Sequence, residues 1–162
     1  MLEMPNGKVY TQSLAIFRVI GRMANLIPTD DEGLYLTDKL IADANDVRTA
    51  SYKCFIWWGA TQAACDEYID TTLPKHLANF ERQLKQSTGE YFIRNELTLA
   101  DVACYDAVMN YGSNRVPGGA LGDFPTLKAW VGRVEEYEGI KKYLASEAFE
   151  ALGKFGPKSL GK

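Results

Sequence analysis

Leu97-Thr98-Leu99-Ala100-Asp101-Val102 carries the strongest local signal in the sequence. It reads as a helix start. The Thr98 side chain can accept the amide of Asp101, the Asp101 carboxylate can accept the amide of Thr98, and Leu97 can staple onto Val102. Aspartate in place of glutamate shortens the reach but leaves the capping box feasible. The helix behind it carries Val102, Tyr105, Val108 and Met109 at helical spacing. Upstream, Leu36, Leu40, Ala44, Val47, Ser51 and Phe55 fall on one face of a long helix that runs toward Trp57 and Trp58. Thr29-Asp30-Asp31-Glu32 reads as a capping box in front of that helix. Between the two, Tyr68, Leu73, Leu77, Phe80 and Leu84 form a third stripe that ends at Gly89. Pro74 lacks an amide donor and clashes with the preceding turn, which predicts a kink or helix start near it. Downstream, Arg115 to Phe124 holds Pro117, Gly118, Gly119 and Gly122 and reads as a loop. Pro125 then suits the first turn of a helix buried through Leu127, Trp130, Val131 and Val134. Gly139 is expected to break that helix, with a short terminal helix starting over Ile140 to Leu144. The glycine-rich tail 153–162 is expected to be mobile.

The front of the chain differs. Met1 to Met4 and Lys8 to Thr11 are short and suited to strands, and Asn6-Gly7 between them favours a tight hairpin. Ser13 reads as the N-cap of a helix through Leu14, Phe17, Ile20 and Ala24, ended by Asn25 with Pro28 beyond. The fold class is therefore mainly all-α, a helical bundle preceded by a β-hairpin and a helix. Two strands alone are marginal in water and call for a sheet to join.

Composition fits an ordinary soluble domain. The 162 residues are 46% hydrophobic and 24% charged. A net charge of −3 argues against nucleic acid or an anionic membrane surface, either of which needs clustered positive charge. No apolar run approaches the roughly 18 residues of a membrane span. Nor does the N-terminus read as a signal peptide. Cys54, Cys65 and Cys104 are odd in number and not spaced as C-x-x-C, so they read as small buried hydrophobes in a reducing, cytoplasmic compartment.

Few residues point to chemistry. The single histidine, His76, has no matched partners for a metal, so no metal site is expected. There is no G-x-S-x-G, P-loop or G-x-G-x-x-G pattern. Tyr52, Trp57 and Trp58 can serve a core, a dimer contact or a ligand-facing wall, with core packing the plainer reading. Asp101 reads as a capping residue and not as a catalytic carboxylate. Gln12-Ser13 is more pointed. Where a strand turns into a helix, open amides and the positive helix end suit a carboxylate, and Gln12 adds an amide that both donates and accepts.

The order of these pieces resembles a known family. The stretch from Met1 to Ile20, with its hairpin, Gln12-Ser13 pair and helix, looks like the end of the glutathione-binding domain of a glutathione transferase. Tyr91-Phe92-Ile93 through Leu97-Thr98-Leu99-Ala100-Asp101 resembles that family's helical-domain signature. Phe124-Pro125-Thr126-Leu127-Lys128-Ala129-Trp130 is similar to its F-P-x-L-x-x-W segment. Ile140 to Leu144 is similar to its P-x-I-K-x-Y-L end, with Gly139 in place of the usual proline. The likeness runs from Leu2 to about Ser146 and is closest to the sigma-like group, which includes lens S-crystallins.

The resemblance implies a remnant of a thioredoxin-like glutathione-binding domain over 1–27, a helical C-terminal domain over 28–152 and a tail over 153–162. It implies glutathione as substrate, with Gln12 and Ser13 binding its γ-glutamyl carboxylate and amine. Asp46 matches an acidic position that reaches the γ-glutamyl amine of the other subunit in such dimers. The family's sulfur-activating Tyr or Ser would lie upstream of Met1, so no catalytic residue is assigned, and the 162-residue chain alone is expected to be inactive. Thiolate formation needs that donor, because the thiolate is the nucleophile. The expected assembly is a homodimer or larger species through the Ser13 and Leu36 helices. The alternative is a non-catalytic helical interaction module or a crystallin-like structural protein.

Overall fold

The computed structural model describes residues 1–55, 61–116 and 118–153. Trp57, Trp58, Pro117 and the tail 154–162 lie outside the described residues.

Two short strands, β1 (Leu2–Glu3) and β2 (Val9–Tyr10), pair antiparallel with Leu2 opposite Tyr10. Gly7 turns the chain at φ 77°, and the Asn6 side chain accepts the Lys8 amide at 3.1 Å. Helix α1 (Ser13–Met23) follows. It ends where Asn25 takes φ 56°; the Asn25 amide bonds back to Arg22 and the Leu26 amide to Gly21. This is the paired closure of a left-handed helix cap, and asparagine tolerates that conformation.

Helix α2 (Asp31–Phe55) starts differently from the Thr29–Glu32 box read in the sequence. Asp30 is the cap: its Oδ1 accepts the Gly33 amide at 2.8 Å. A carboxylate one residue closer to the helix replaces the threonine hydroxyl. The Gly33 amide, and then Arg94 at 2.9 Å, hold the Asp30 carboxyl below its ordinary pKa.

Helix α3 (Gln62–Glu67) runs through a π-turn (Tyr68–Thr72) into α4 (Leu73–Gln86). Pro74 thus sits in the first turn of α4, as a helix start near it predicts. The residue four before it, Asp70, lies in the wider π-turn, where the missing amide and the ring are accommodated.

Helix α5 (Leu99–Asn110) forms the centre. Ala100, Cys104, Ala107 and Val108 are fully buried, packed among Leu40, Val47, Leu73, Leu77, Phe80, Leu127, Trp130 and Val134 of the surrounding helices. The stripe read from the sequence is partly displaced by this centrality: Val108 is fully buried as read, Val102, Tyr105 and Met109 are only half-buried, and the small residues Ala100, Cys104 and Ala107 are buried as deeply as Val108. A short 3-10 turn (Ser113–Arg115) leads into the loop before α6 (Pro125–Glu136).

The break after α6 falls at Tyr137 (φ −62°, ψ 123°), not at Gly139. Gly139 lies inside α7 (Glu138–Leu144), which a last helix, α8 (Glu147–Gly153), follows. Gly153 therefore closes a helix rather than opening the tail. All three cysteines are buried thiols.

Two buried carboxylates fasten the helices to one another. Asp101 is fully buried. Its Oδ2 accepts the Thr98 amide at 2.9 Å and the Thr98 hydroxyl at 2.7 Å, and its Oδ1 accepts the Phe92 amide and the Trp130 indole N–H, each at 3.0 Å. The Phe92 ring stands edge-on to Trp130 with centroids 4.9 Å apart. Glu81 of α4 caps a different helix. It accepts the Leu127 amide at 2.6 Å and the Thr126 amide at 3.2 Å, both open because Pro125 leads α6.

Candidate functional site

The hairpin delivers the chain to Gln12, and the structure corrects the reading of Ser13 there. Ser13 is the first helical residue; Gln12 is the cap, and no side chain caps α1. Gln12 holds φ 68° and ψ 105°, a region that non-glycine residues rarely occupy. Its carbonyl accepts the Ile16 amide at 3.0 Å, so the turn closes through the main chain and the Ser13 side chain is released from capping. Gln12 and Ser13 are both exposed. The first amides of α1, the positive helix end and two polar side chains thus stand together on the surface. That arrangement suits a carboxylate.

The placement of α1 is fixed at its far end. A Cβ on Gly21 would come within 2.5 Å of a Leu99 methyl, so only glycine lets α1 approach α5 this closely. The Leu99 amide also donates to the Leu26 carbonyl at 2.7 Å. Along its length, Arg18 Nε meets Asp38 Oδ1 of α2 at 2.7 Å.

Asp46 is exposed on α2. Its charge bears on His76 of α4. Burial lowers the His76 pKa, and Asp46 and Asp43 oppose that shift. Among the described residues, no hydrogen bond or ion pair joins Asp46 to Gln12 or Ser13 within one chain. Thr98 and Asp101 form the capping box at the start of α5.

A polar cluster at the far ends of α2 and α5 is absent from the sequence reading. Arg48 Nη2 meets Asp106 Oδ2 at 2.6 Å, and its guanidinium lies 5.2 Å from the Tyr111 ring centre. Asn110 Nδ2 donates to Asp106 Oδ1 at 2.8 Å. The Tyr52 and Tyr111 hydroxyls are 3.5 Å apart. Tyr68, from the π-turn, donates to the Tyr111 carbonyl at 2.7 Å. Burial first, and then the contact with Tyr52, push the Tyr111 hydroxyl up to about 12. The available signal was spacing: Arg48 and Tyr52 are one helical turn apart on α2, and Asp106 and Asn110 likewise on α5. Of the aromatic trio read from the sequence, Tyr52 is therefore an exposed residue and not core.

Among the described residues, no group of three or more His, Cys, Asp or Glu side chains is placed to hold a metal ion. None of the described helices is long and apolar enough to cross a membrane.

Comparison with known proteins gives this geometry a family. The family described as "Glutathione S-transferase, C-terminal domain" matches residues 45–147. Glutathione S-transferase P 10 of Caenorhabditis elegans is 24% identical over 139 residues, which cover 86% of this chain and 64% of that protein. The human glutathione S-transferase P is 29% identical over 143 residues, covering 87% of this chain and 66% of that protein. The chain thus spans just under two thirds of the length of these curated relatives. The solved Pi-class glutathione S-transferase of Onchocerca volvulus shares the fold, with a TM-score of 0.74 at 21% identity over 94% of this chain and 74% of that one. With the family's helical domain matched over more than half of its length, this chain belongs to the glutathione S-transferase family.

Proposed function

We propose that this chain is part of a glutathione-conjugating enzyme and that Gln12 and Ser13 hold the γ-glutamyl end of glutathione. The observation that carries the reading is Gln12 itself: an exposed, non-glycine residue held at φ 68° before an uncapped helix N-terminus. A backbone in such a region costs on the order of 1–3 kcal/mol and persists where its surroundings impose it, commonly at ligand clamps. In this reading the γ-glutamyl carboxylate takes the first α1 amides and the Ser13 hydroxyl. The Gln12 side-chain amide adds a further donor. Asp46 of a second copy takes the γ-glutamyl ammonium. Exposed Ile20, Met23 and Tyr35 on α1 and α2 supply apolar surface for that second copy.

Residues 1–27 act as the edge of the glutathione-binding domain and 28–152 as the helical domain. In this reading none of the described side chains is assigned the sulfur-activating role, and the 162-residue polypeptide assayed by itself conjugates at background. The sequence motifs resemble the sigma-like group, while the relatives compared above carry P-type and Pi-class names; the function proposed here is common to both. A cytoplasmic location fits the same reading.

Calorimetric titration of the 162-residue chain with reduced glutathione tests it. Weak saturable binding that falls in both Gln12→Ala and Ser13→Ala supports the site. Absence of binding by a chain folded to native helicity supports the non-catalytic interaction or structural module instead. Turnover of a chloronitrobenzene substrate well above background refutes the inactivity of the isolated chain.

A further inference from the structure

His76 is the single histidine of the sequence and lies half-buried on α4. Its place follows from a polar seam between α4 and α2. Gln83 Oε1 of α4 accepts Lys39 Nζ of α2 at 2.6 Å, and Gln83 Nε2 donates to Asp43 Oδ2 at 3.0 Å. Lys39 and Asp43 also pair with each other at 2.7 Å. His76 lies two helical turns before Gln83 on α4, and Asp46 lies two turns after Lys39 on α2. The seam that Gln83 and Lys39 mark at one end therefore carries His76 and Asp46 on the same two faces, about 10 Å further along.

The surroundings of His76 leave Asp46 as its main charged neighbour. Burial lowers the His76 pKa, and Asp46 and then Asp43 work against that. Asp43 is already paired with Lys39. On α4 itself Lys75 is adjacent in sequence and exposed, while the residues one turn away, Thr72, Leu73, Asn79 and Phe80, carry no charge.

We propose that His76 regulates glutathione binding through Asp46: on acidification an imidazolium forms beside the Asp46 carboxylate and competes with the γ-glutamyl ammonium of glutathione bound to a second copy. This rests on the reading of Asp46 given above. Among side chains, only histidine ordinarily changes charge between pH 5 and 8, and this chain has one. Burial holds the His76 pKa below its ordinary value of about 6.5, so at pH 7.5 the imidazole is neutral and no imidazolium competes for Asp46. As pH falls through the lowered pKa the imidazolium appears, and affinity for glutathione falls with it. A charge pair of this exposure changes binding by about two- to fivefold. The coupling is reciprocal: an ammonium bound at Asp46 disfavours the imidazolium, so glutathione lowers the His76 pKa. His76 is a positioning residue here, acting only through Asp46.

Two measurements test this on the 162-residue chain, at concentrations where it self-associates. Calorimetric titration with reduced glutathione is run between pH 7.5 and pH 5. The wild type is expected to bind about two- to fivefold more weakly at the acid end, and His76→Gln to bind equally at both. Nuclear magnetic resonance then follows the one imidazole through the same range. Saturating glutathione and, separately, Asp46→Asn are each expected to lower its titration midpoint. Wild-type affinity that is flat with pH, a fall of equal size in His76→Gln, or a midpoint that ignores glutathione overturns the proposal and leaves the glutathione site standing. A midpoint that Asp46→Asn does not lower overturns the coupling itself, whether or not glutathione binds. Absence of glutathione binding at pH 7.5 overturns the glutathione site and this proposal with it. The two wild-type measurements decide the matter without the variants, so a variant that fails to fold does not.

Discussion

Replacing Asp101 tests whether one buried carboxylate joins three parts of the fold. It accepts four hydrogen bonds: from the Thr98 amide and hydroxyl, the Phe92 amide and the Trp130 indole. In Asp101→Ala the Thr98 hydroxyl can turn away, but three N–H groups are left without a partner. Each buried orphan costs about 1–3 kcal/mol, and loss of a helix cap costs about 1 kcal/mol. These terms overlap, because water entering the cavity can serve some of the donors. A total near 4 kcal/mol is expected, against a whole-domain stability of about 5–15 kcal/mol. Asp101→Asn separates the hydrogen bonds from the packing. An asparagine oxygen can keep the Phe92 and Trp130 donors while its NH2 meets Thr98, whose hydroxyl can rotate to accept. Only the Thr98 amide is then orphaned, so the cost should fall to about 1–3 kcal/mol. Urea unfolding followed by far-ultraviolet circular dichroism measures both. Trp130→Phe removes one donor, so Asp101→Ala should cost less in that background than in the wild type. Losses below about 1 kcal/mol in Asp101→Ala, or equal losses in the alanine and asparagine variants, would refute the reasoning.

Further outcomes follow from the same geometry. Burial raises the Glu81 pKa, but Lys85 and the Leu127 and Thr126 contacts together outweigh it and lower the pKa below its ordinary value. A depressed folded pKa contributes stability above the unfolded value of about 4.3 and loses it as pH falls through the folded value. Glu81→Gln should therefore flatten the stability–pH curve in that acid window; an unchanged slope there would contradict the capping role. Gly21→Ala normally gains about 1 kcal/mol of helix propensity. Here the added methyl meets Leu99 at 2.5 Å, so a net loss of about 1–3 kcal/mol is expected by urea titration, and a gain would show that α1 is free to shift. Gln12→Gly should stabilise the chain by about 1 kcal/mol through relief of its positive φ while it weakens glutathione binding in calorimetry; a stability loss would mean that the backbone there is not strained.

The helical core was legible because its signals are local and repeated. The Thr98–Asp101 box, Pro125 and the stripe Leu73, Leu77, Phe80, Leu84 each report on their own turn of chain. The errors fell where two signals compete within a residue or two. Asp30 lies beside Thr29 and holds the stronger acceptor, so it takes the cap. Gly139 is a helix breaker by propensity, yet the chain turns at Tyr137 and Gly139 falls in the first turn of α7. Ser13 is a favourable cap by type, but Gln12 enters the helix with a positive φ that no sequence preference for glutamine signals. Contacts across helices were beyond sequence reading altogether. Glu81 capping α6 and Tyr68 holding Tyr111 join residues 46 and 43 positions apart. Their chemistry is visible in the residue type, while their partners are set only by packing.

That distinction bears on the edge proposed above to hold glutathione. Leu99 is the first residue of α5, and its neighbours Thr98 and Asp101 form the box. The same residue gives its amide to Leu26 and its side chain to the surface that only Gly21 can approach. So α1 docks on the very turn that Asp101 holds in place, and α1 carries Gln12 and Ser13 at its other end. A helix is stiff over eleven residues, so a tilt at Gly21 displaces its N-terminus more than its C-terminus. Weakening the box should therefore disturb the Gln12 turn before the core unfolds. Amide hydrogen exchange in Asp101→Asn is the measurement. Faster exchange at Ile16, whose amide bonds the Gln12 carbonyl, with core amides of α4 unchanged, is the expected pattern. Uniform acceleration across both helices would mean that the box stabilises the domain as a whole and does not aim α1.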